Sequence, residues 1–226
     1  MGPVTLSKQN RLFWLGRYAE RVYMTVQFLM NTYDTLLDGA AVDYADFCRR
    51  LGVENVYRDA GDFCRRFLFD SSQICSVRAT MEALLGNGMV LRETISSPTL
   101  AYLQMAESAM EMASRSEAPA VELQWVLDDI MAFRGSFDEA VDHEGVRNIT
   151  KTGGTLERLS LMLRLDWQPE QLRHEMCKLL NRLYKTDLTT NPEALETITA
   201  YALEDQDVEK MKLLQSVEGL FVVWDG

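Results

Sequence analysis

Reactive side chains are few in this sequence. There are two histidines, His143 and His174, four cysteines and five prolines. Cys48, Cys64, Cys75 and Cys177 show no Cys-x-x-Cys spacing, and neither histidine has a glutamate three residues before it. That excludes the common zinc frameworks and the Glu-x-x-His pairs of carboxylate di-metal bundles. Glu139 and Glu170 stand four residues before a histidine, a looser spacing, so the histidines read as solvated helix residues and no metal is expected. No Gly-x-Ser-x-Gly elbow, P-loop or Gly-x-Gly-x-x-Gly string occurs, so neither a hydrolase nucleophile nor a nucleotide cradle is visible. No run of 18 apolar residues exists, so no membrane span is expected. The opening, Met1 to Lys8, lacks the apolar centre of a secretion leader. The expectation is a cytoplasmic protein with its cysteines reduced and packed as small apolar groups.

What is present is a globular composition of 226 residues, 47% apolar and 25% charged, enough chain to bury a core without staples. The net charge is −11, with 34 acidic against 23 basic side chains. The imbalance sits in the second half: residues 1–113 carry 13 acidic and 11 basic groups, residues 114–226 carry 21 and 12. Such a chain repels phosphate backbones and anionic lipid, so neither nucleic acid nor a membrane surface is an expected partner. Arginine supplies 17 of the basic residues, the cation suited to fixed ion pairs.

The hydrophobic pattern is helical nearly throughout. Leu12, Leu15, Ala19, Val22, Val26, Leu29, Tyr33 and Leu36 alternate spacings of three and four, a packing stripe that Asp38-Gly39 ends. Residues 43–68 read as two short helices broken near Gly52, and they hold a near-repeat: Asp46 to Arg50 recurs as Asp62 to Arg66, two similar amphipathic turns. Ser71-Ser72 is expected to cap a helix to about Ser96, with Gly86 and Gly88 inside it marking a kink or a close helix approach. Ser96-Ser97-Pro98 opens a helix over 98–113, and Ala113 to Pro119 is the best linker in the chain. Helices follow over 120–142 and 147–166, with Gly145 marking the break between them, then from Pro169 to about 186, from Asn191-Pro192, and over 205–218. The apolar tail Leu220 to Trp224 reads as a strand or as an arm covering a groove of this or another subunit, which makes self-association an expectation. The expected architecture is all-α: a bundle of roughly eight to ten helices in one domain spanning 1–226, with halves at 1–113 and 119–226.

Those halves are suggested by a duplicated element. Gly16-Arg17-Tyr18-Ala19-Glu20-Arg21 matches Gly153-Gly154-Thr155-Leu156-Glu157-Arg158, each with glycine four residues before Glu-Arg and 137 positions apart. One duplication with a pseudo-twofold accounts for this better than a repeat array. Glu20 shares its helix face with Phe13, Trp14, Met24 and Phe28, so α-helical geometry puts the charged pair in or beside a packed interface. Burial then requires partners, and the glycine lets a second helix come close enough to supply them. Reciprocal pairing of Glu20 with Arg158 and of Glu157 with Arg21 is one expectation. The other is a cleft in which one pair binds a carboxylate or amide ligand.

The run Leu12-Phe13-Trp14-Leu15-Gly16-Arg17-Tyr18-Ala19-Glu20-Arg21 resembles the opening signature of the alpha-E family, a helical domain formerly of unknown function named for its repeated Glu-Arg motif. Phe67 to Ser71, Asn87 to Ser96 with Arg92-Glu93, and Leu156-Glu157-Arg158 resemble further family segments in order, so the likeness covers about residues 7–190. Two departures stand out: Gly154 and Thr155 replace the Arg and Tyr usual in the second copy, and Met81, Leu84, Leu85 and Met89 thin the arginines of the central helix. Family members are typically encoded beside, or fused to, circularly permuted ATP-grasp ligases and near transglutaminase-like proteases. The resemblance implies an accessory helical subunit of an ATP-grasp-type peptide or amide ligase, with ATP and Mg on the partner ligase and no cofactor on this chain. Arg17, Glu20, Arg21, Glu157 and Arg158 would be the binding or ion-pair residues, supported by Trp14, Tyr18, Asn87, Arg92 and Glu93. The alternatives are an enzyme or acceptor-binding protein that takes an amino-acid or peptide carboxylate in the Glu-Arg cleft, and a self-associating structural protein.

Overall fold

The computed structural model describes residues 4–204 and 206–221. Among them eleven helices occur and no strand, an all-α fold. None is long and apolar enough to cross a membrane. The chain forms two compact units: Tyr18–Asp142, and Met1–Arg17 with His143–Gly226. The first helix, α1 (Leu6–Leu37), contributes to both. Its stripe is buried as its spacing predicts, from Leu12 to Leu29, with Tyr33 and Leu36 half-buried at the fraying end.

In the unit from Tyr18 to Asp142, α2 (Tyr44–Leu51) and α3 (Ala60–Phe69) are the expected pair of short helices. Gly52 stops α2 at φ +70, where a side chain would clash with its own backbone. The near-repeat has a physical reason extending three residues upstream. Asp43 caps α2 by accepting from the Asp46 amide, and Asp59 caps α3 by accepting from the Asp62 amide. Phe47 and Phe63, at matching positions, meet edge to face at 5.6 Å, and Phe28 of α1 stacks on Phe47 at 4.2 Å.

The helix expected from Ser71 to Ser96 is shorter and split. Its cap is Ser76, whose hydroxyl accepts from the Ala79 amide; Ser72 is taken up by Asp70 in a tight turn. The helix runs as α4 (Val77–Val90), breaks at Leu91, and resumes as the single turn α5 (Arg92–Ile95). That extra break lifts the helix number above the expected eight to ten. Gly88 is a close-approach glycine: a Cβ there would lie 2.7 Å from Leu103 of α6 (Ser97–Arg115). Ser96 caps α6 with Pro98 in its first turn, and α7 (Ala120–Ala140) returns antiparallel to it across residues 116–119.

In the other unit the start of α1 packs with α8 (Glu144–Arg164), α9 (Pro169–Leu183), α10 (Pro192–Leu203) and α11 (Lys210–Glu218). The break before α8 falls at residues 141–143, not at Gly145, which lies inside the first turn. His143 is half-buried and caps α8 through Nδ1, accepting from the Val146 amide at 3.4 Å, a role its solvated reading missed; His174 on α9 is exposed. Asn191 caps α10 through the amides of Glu193 and Ala194. The tail begins as an extended bridge, Phe221 pairing antiparallel with Thr190 while Leu220 accepts from the Asn191 amide at 2.8 Å. Val222 to Trp224 lie outside the described residues.

Candidate functional site

The first Glu-Arg element sits where α1 crosses α8 backbone to backbone. A Cβ on Gly16 would fall 1.9 Å from the Thr150 carbonyl oxygen, and one on Gly153 would fall 2.0 Å from that of Phe13. The two contacts are mirror roles: Phe13 and Thr150, like Gly16 and Gly153, are 137 positions apart. The crossing is thus locally twofold, and only hydrogen at both glycine positions permits it.

That approach brings Arg17 over α8. Its Nε donates to Glu157 Oε2 at 2.7 Å and its Nη2 lies 2.6 Å from the same oxygen. Glu157 is buried, and Arg17 is mostly covered, its guanidinium lying over the Trp14 ring at 4.8 Å. Trp14 flattens and dries one side of the cation while the carboxylate neutralises its edge.

The position matching Arg17 in the second copy is Gly154, which has no side chain to offer Glu20. An arginine arrives from elsewhere: Arg134 of α7 donates through Nη2 to Glu20 Oε2 at 2.7 Å and to the Ala19 carbonyl at 3.4 Å. It rests over the Tyr23 ring at 4.7 Å, as Arg17 rests over Trp14. Each motif carboxylate is therefore held by an arginine laid on an α1 aromatic, within its own compact unit.

Arg158 turns toward α9, where Glu175 Oε1 lies 3.7 Å away and also accepts from Lys178 at 2.6 Å. Arg21 is half-buried beside Cys75; burial pushes that thiol up, and the Arg21 charge works against the rise. Thr155, in the place of the usual tyrosine, accepts from Arg182 of α9, which also donates to the Lys151 carbonyl at 3.1 Å. Among the supporting residues, Trp14 and Tyr18 are half-buried on α1, and Asn87 is half-buried on α4. Arg92 and Glu93 pair with each other at 3.0 Å on the exposed turn α5. Among the described residues no three His, Cys, Asp or Glu side chains converge as metal ligands would.

Arg134, Glu175 and Arg182 were not singled out from the sequence. For Arg134 a signal existed. It is the lone basic residue of α7 and falls on that helix's apolar face, in register with Ile130, Phe133 and Phe137. A lone cation on a buried stripe announces a buried partner.

Neither a curated protein nor a solved structure matches the chain. The family model Alpha-E, described as a predicted alpha-helical domain with a conserved ER motif, matches residues 8–175, which takes in both Glu-Arg elements and the crossing of α1 with α8. The chain belongs to the alpha-E family.

Proposed function

We propose that this chain is a non-catalytic helical partner of an ATP-grasp-type ligase that forms peptide or amide bonds in the cytoplasm. ATP and Mg belong to the ligase, and this chain holds or completes the ligase or its peptide substrate. The observation supporting a scaffold role is how the motif carboxylates are used. Glu20 and Glu157 are buried, each is neutralised by an arginine at 2.7 Å, and the second sits at a glycine crossing that fixes its register. Carboxylates committed in this way specify how helices pack, which suits a rigid partner better than a residue that must exchange protons with substrate.

The test is co-expression with an ATP-grasp ligase encoded beside this chain. The expected result is a complex that survives size-exclusion chromatography and in which ADP release with amino-acid or peptide acceptors rises over ligase alone. Separate elution with unchanged ADP release overturns the reading. If amino acids or short peptides raise the melting temperature of the chain alone and Arg21→Ala abolishes that rise, the acceptor-binding alternative replaces it. A concentration-dependent oligomer that neither binds the ligase nor responds to ligand favours the structural alternative.

A further inference from the structure

The α6–α7 hairpin presents a second feature unrelated to the Glu-Arg motif. Met105 and Met112 stand seven residues apart on one face of α6, and Val121 and Trp125 four apart on one face of α7. All four are roughly half exposed, from 46% for Trp125 to 59% for Val121. Their placement follows from what the other faces do. Thr99 of α6 bonds to Ser136 of α7 at 2.7 Å, which marks the seam between the helices. Arg78 of α4 grips Glu107 and Glu111 at 2.9 and 3.0 Å, which marks the α4 side of α6. Arg134 reaches Glu20, which marks the α1 side of α7. At 100° per residue, both apolar rows then lie on the outer side, flanking the seam.

The charge around these rows is one-sided. Residues 97–140 carry eight acidic and two basic side chains. Both basic ones are committed, Arg115 to Glu111 and Arg134 to Glu20. Glu122, Asp128 and Asp129 of α7 have no basic partner among the described residues, and Glu122 Oε2 is buried with no hydrogen-bond donor. Asp129 is crowded enough that burial, then its neighbour Asp128, pushes its carboxyl above the usual range. Two turns of helix thus hold three unneutralised carboxylates next to a tryptophan and two methionines. Methionine is the side chain that best moulds to varied apolar anchors.

We propose that the outer face of the α6–α7 hairpin, centred on Trp125, Met112, Asp128 and Asp129, is a docking surface for a cationic amphipathic helix of another protein. Apolar anchors on the partner, at helical spacing, insert along the Met/Trp rows while its Lys or Arg residues reach Asp128 and Asp129. A second copy of this chain fits poorly, because it would bring one acidic hairpin against another.

The full chain is titrated against three fluorescein-labelled synthetic peptides of about 18 residues, five helical turns each. One has Leu and Lys at amphipathic spacing, the second replaces Lys by Glu, and the third replaces Leu by Ser. The expected result is saturable one-to-one binding of the Leu/Lys peptide. At least about tenfold weaker binding is expected for the other two peptides, for Trp125→Ala with Met112→Ser, and for Asp128→Asn with Asp129→Asn. Met112, Trp125 and Asp128 are exposed and Asp129 is half-buried, and circular dichroism verifies that each variant keeps its helix content. No binding of the Leu/Lys peptide, equal binding of the Ser/Lys peptide, or affinity unchanged in both variants overturns the proposal. So does a dimer by light scattering that Trp125→Ala converts to monomer, since the face would then belong to a second copy.

Discussion

Arg17 Nε meets Glu157 Oε2 at 2.7 Å, joining residues 140 apart in the chain. Both groups are taken largely out of water, so their pairing offsets part of the cost of burying each charge. Arg17→Ala takes this cation from the buried Glu157, and Glu157→Gln takes the charge that Arg17 is paired with. Each single change is expected to cost about 3–5 kcal/mol in urea unfolding, as broken buried pairs do. Removing both partners should cost clearly less than the sum, with a coupling energy of about 1–3 kcal/mol. Additive losses would show that the two charges do not interact. Arg17→Lys should not restore stability, because an ammonium cannot match the planar guanidinium over Trp14.

The glycine crossing makes a sharper demand. Gly16→Ala would drive a methyl to 1.9 Å from the Thr150 carbonyl oxygen, and Gly153→Ala to 2.0 Å from that of Phe13. Neither obstacle is a flexible side-chain tip, so the helices must separate. Each substitution is expected to destabilise by about 3 kcal/mol or more, the upper end of overpacking costs, or to abolish soluble folding. Gly86→Ala on α4 is the control: it meets nothing within 4 Å and should stabilise by about 0.5–1 kcal/mol through helix propensity. Thermal unfolding of the three variants compares them directly.

Most of the fold was legible because helix signals are local. The α1 stripe, the Ser96 cap, the proline-led starts of α9 and α10, and Gly88 as a close approach all follow from spacing and caps. The split at Leu91 and the Ser76 cap were not legible; Ser72, read as a cap, is taken up by Asp70 instead, and the helix starts at the next serine along. The site was half legible. Repetition of Gly and Glu-Arg pointed to the α8 residues that meet α1, including Gly153 and Glu157. That Glu20 takes Arg134 depends on α7 folding back over α1, a tertiary fact with only a lone arginine on an apolar face as its trace.

Acid should loosen α2 and α3 first. Asp46 is held below the usual carboxylate range by Arg50, which donates to it, and then by Arg49. Asp62 is held down by the Arg58 amide and side chain, and Asp70 chiefly by the Ser72 hydroxyl. A carboxyl depressed in the folded state stabilises it fully above its unfolded value near pH ~4 and loses that contribution as pH falls through the folded value. Amide hydrogen exchange across α2 and α3 is therefore expected to accelerate as pH falls below about 4, while α8 amides stay protected. Asp62→Asn should lower protection at neutral pH and flatten this acid response. An unchanged acid response in that variant would remove Asp62 from the account.

Cys64 is fully buried among Phe63, Phe67 and their neighbours, and burial pushes its thiol up to about 11. Near pH 8 only about one molecule in a thousand then carries the thiolate, the form that alkylates. Burial also blocks access, so modification must wait for local opening. Iodoacetamide at pH 8 should label Cys64 in the native chain at least about 100-fold more slowly than in urea. Cys75, only half-buried and with the Arg21 charge favouring its thiolate, should label ahead of it. Peptide mass spectrometry over a time course reads both sites at once. Labelling of Cys64 at the rate of Cys75 would mean that the α3 aromatic cluster opens as readily as the turn that carries Cys75.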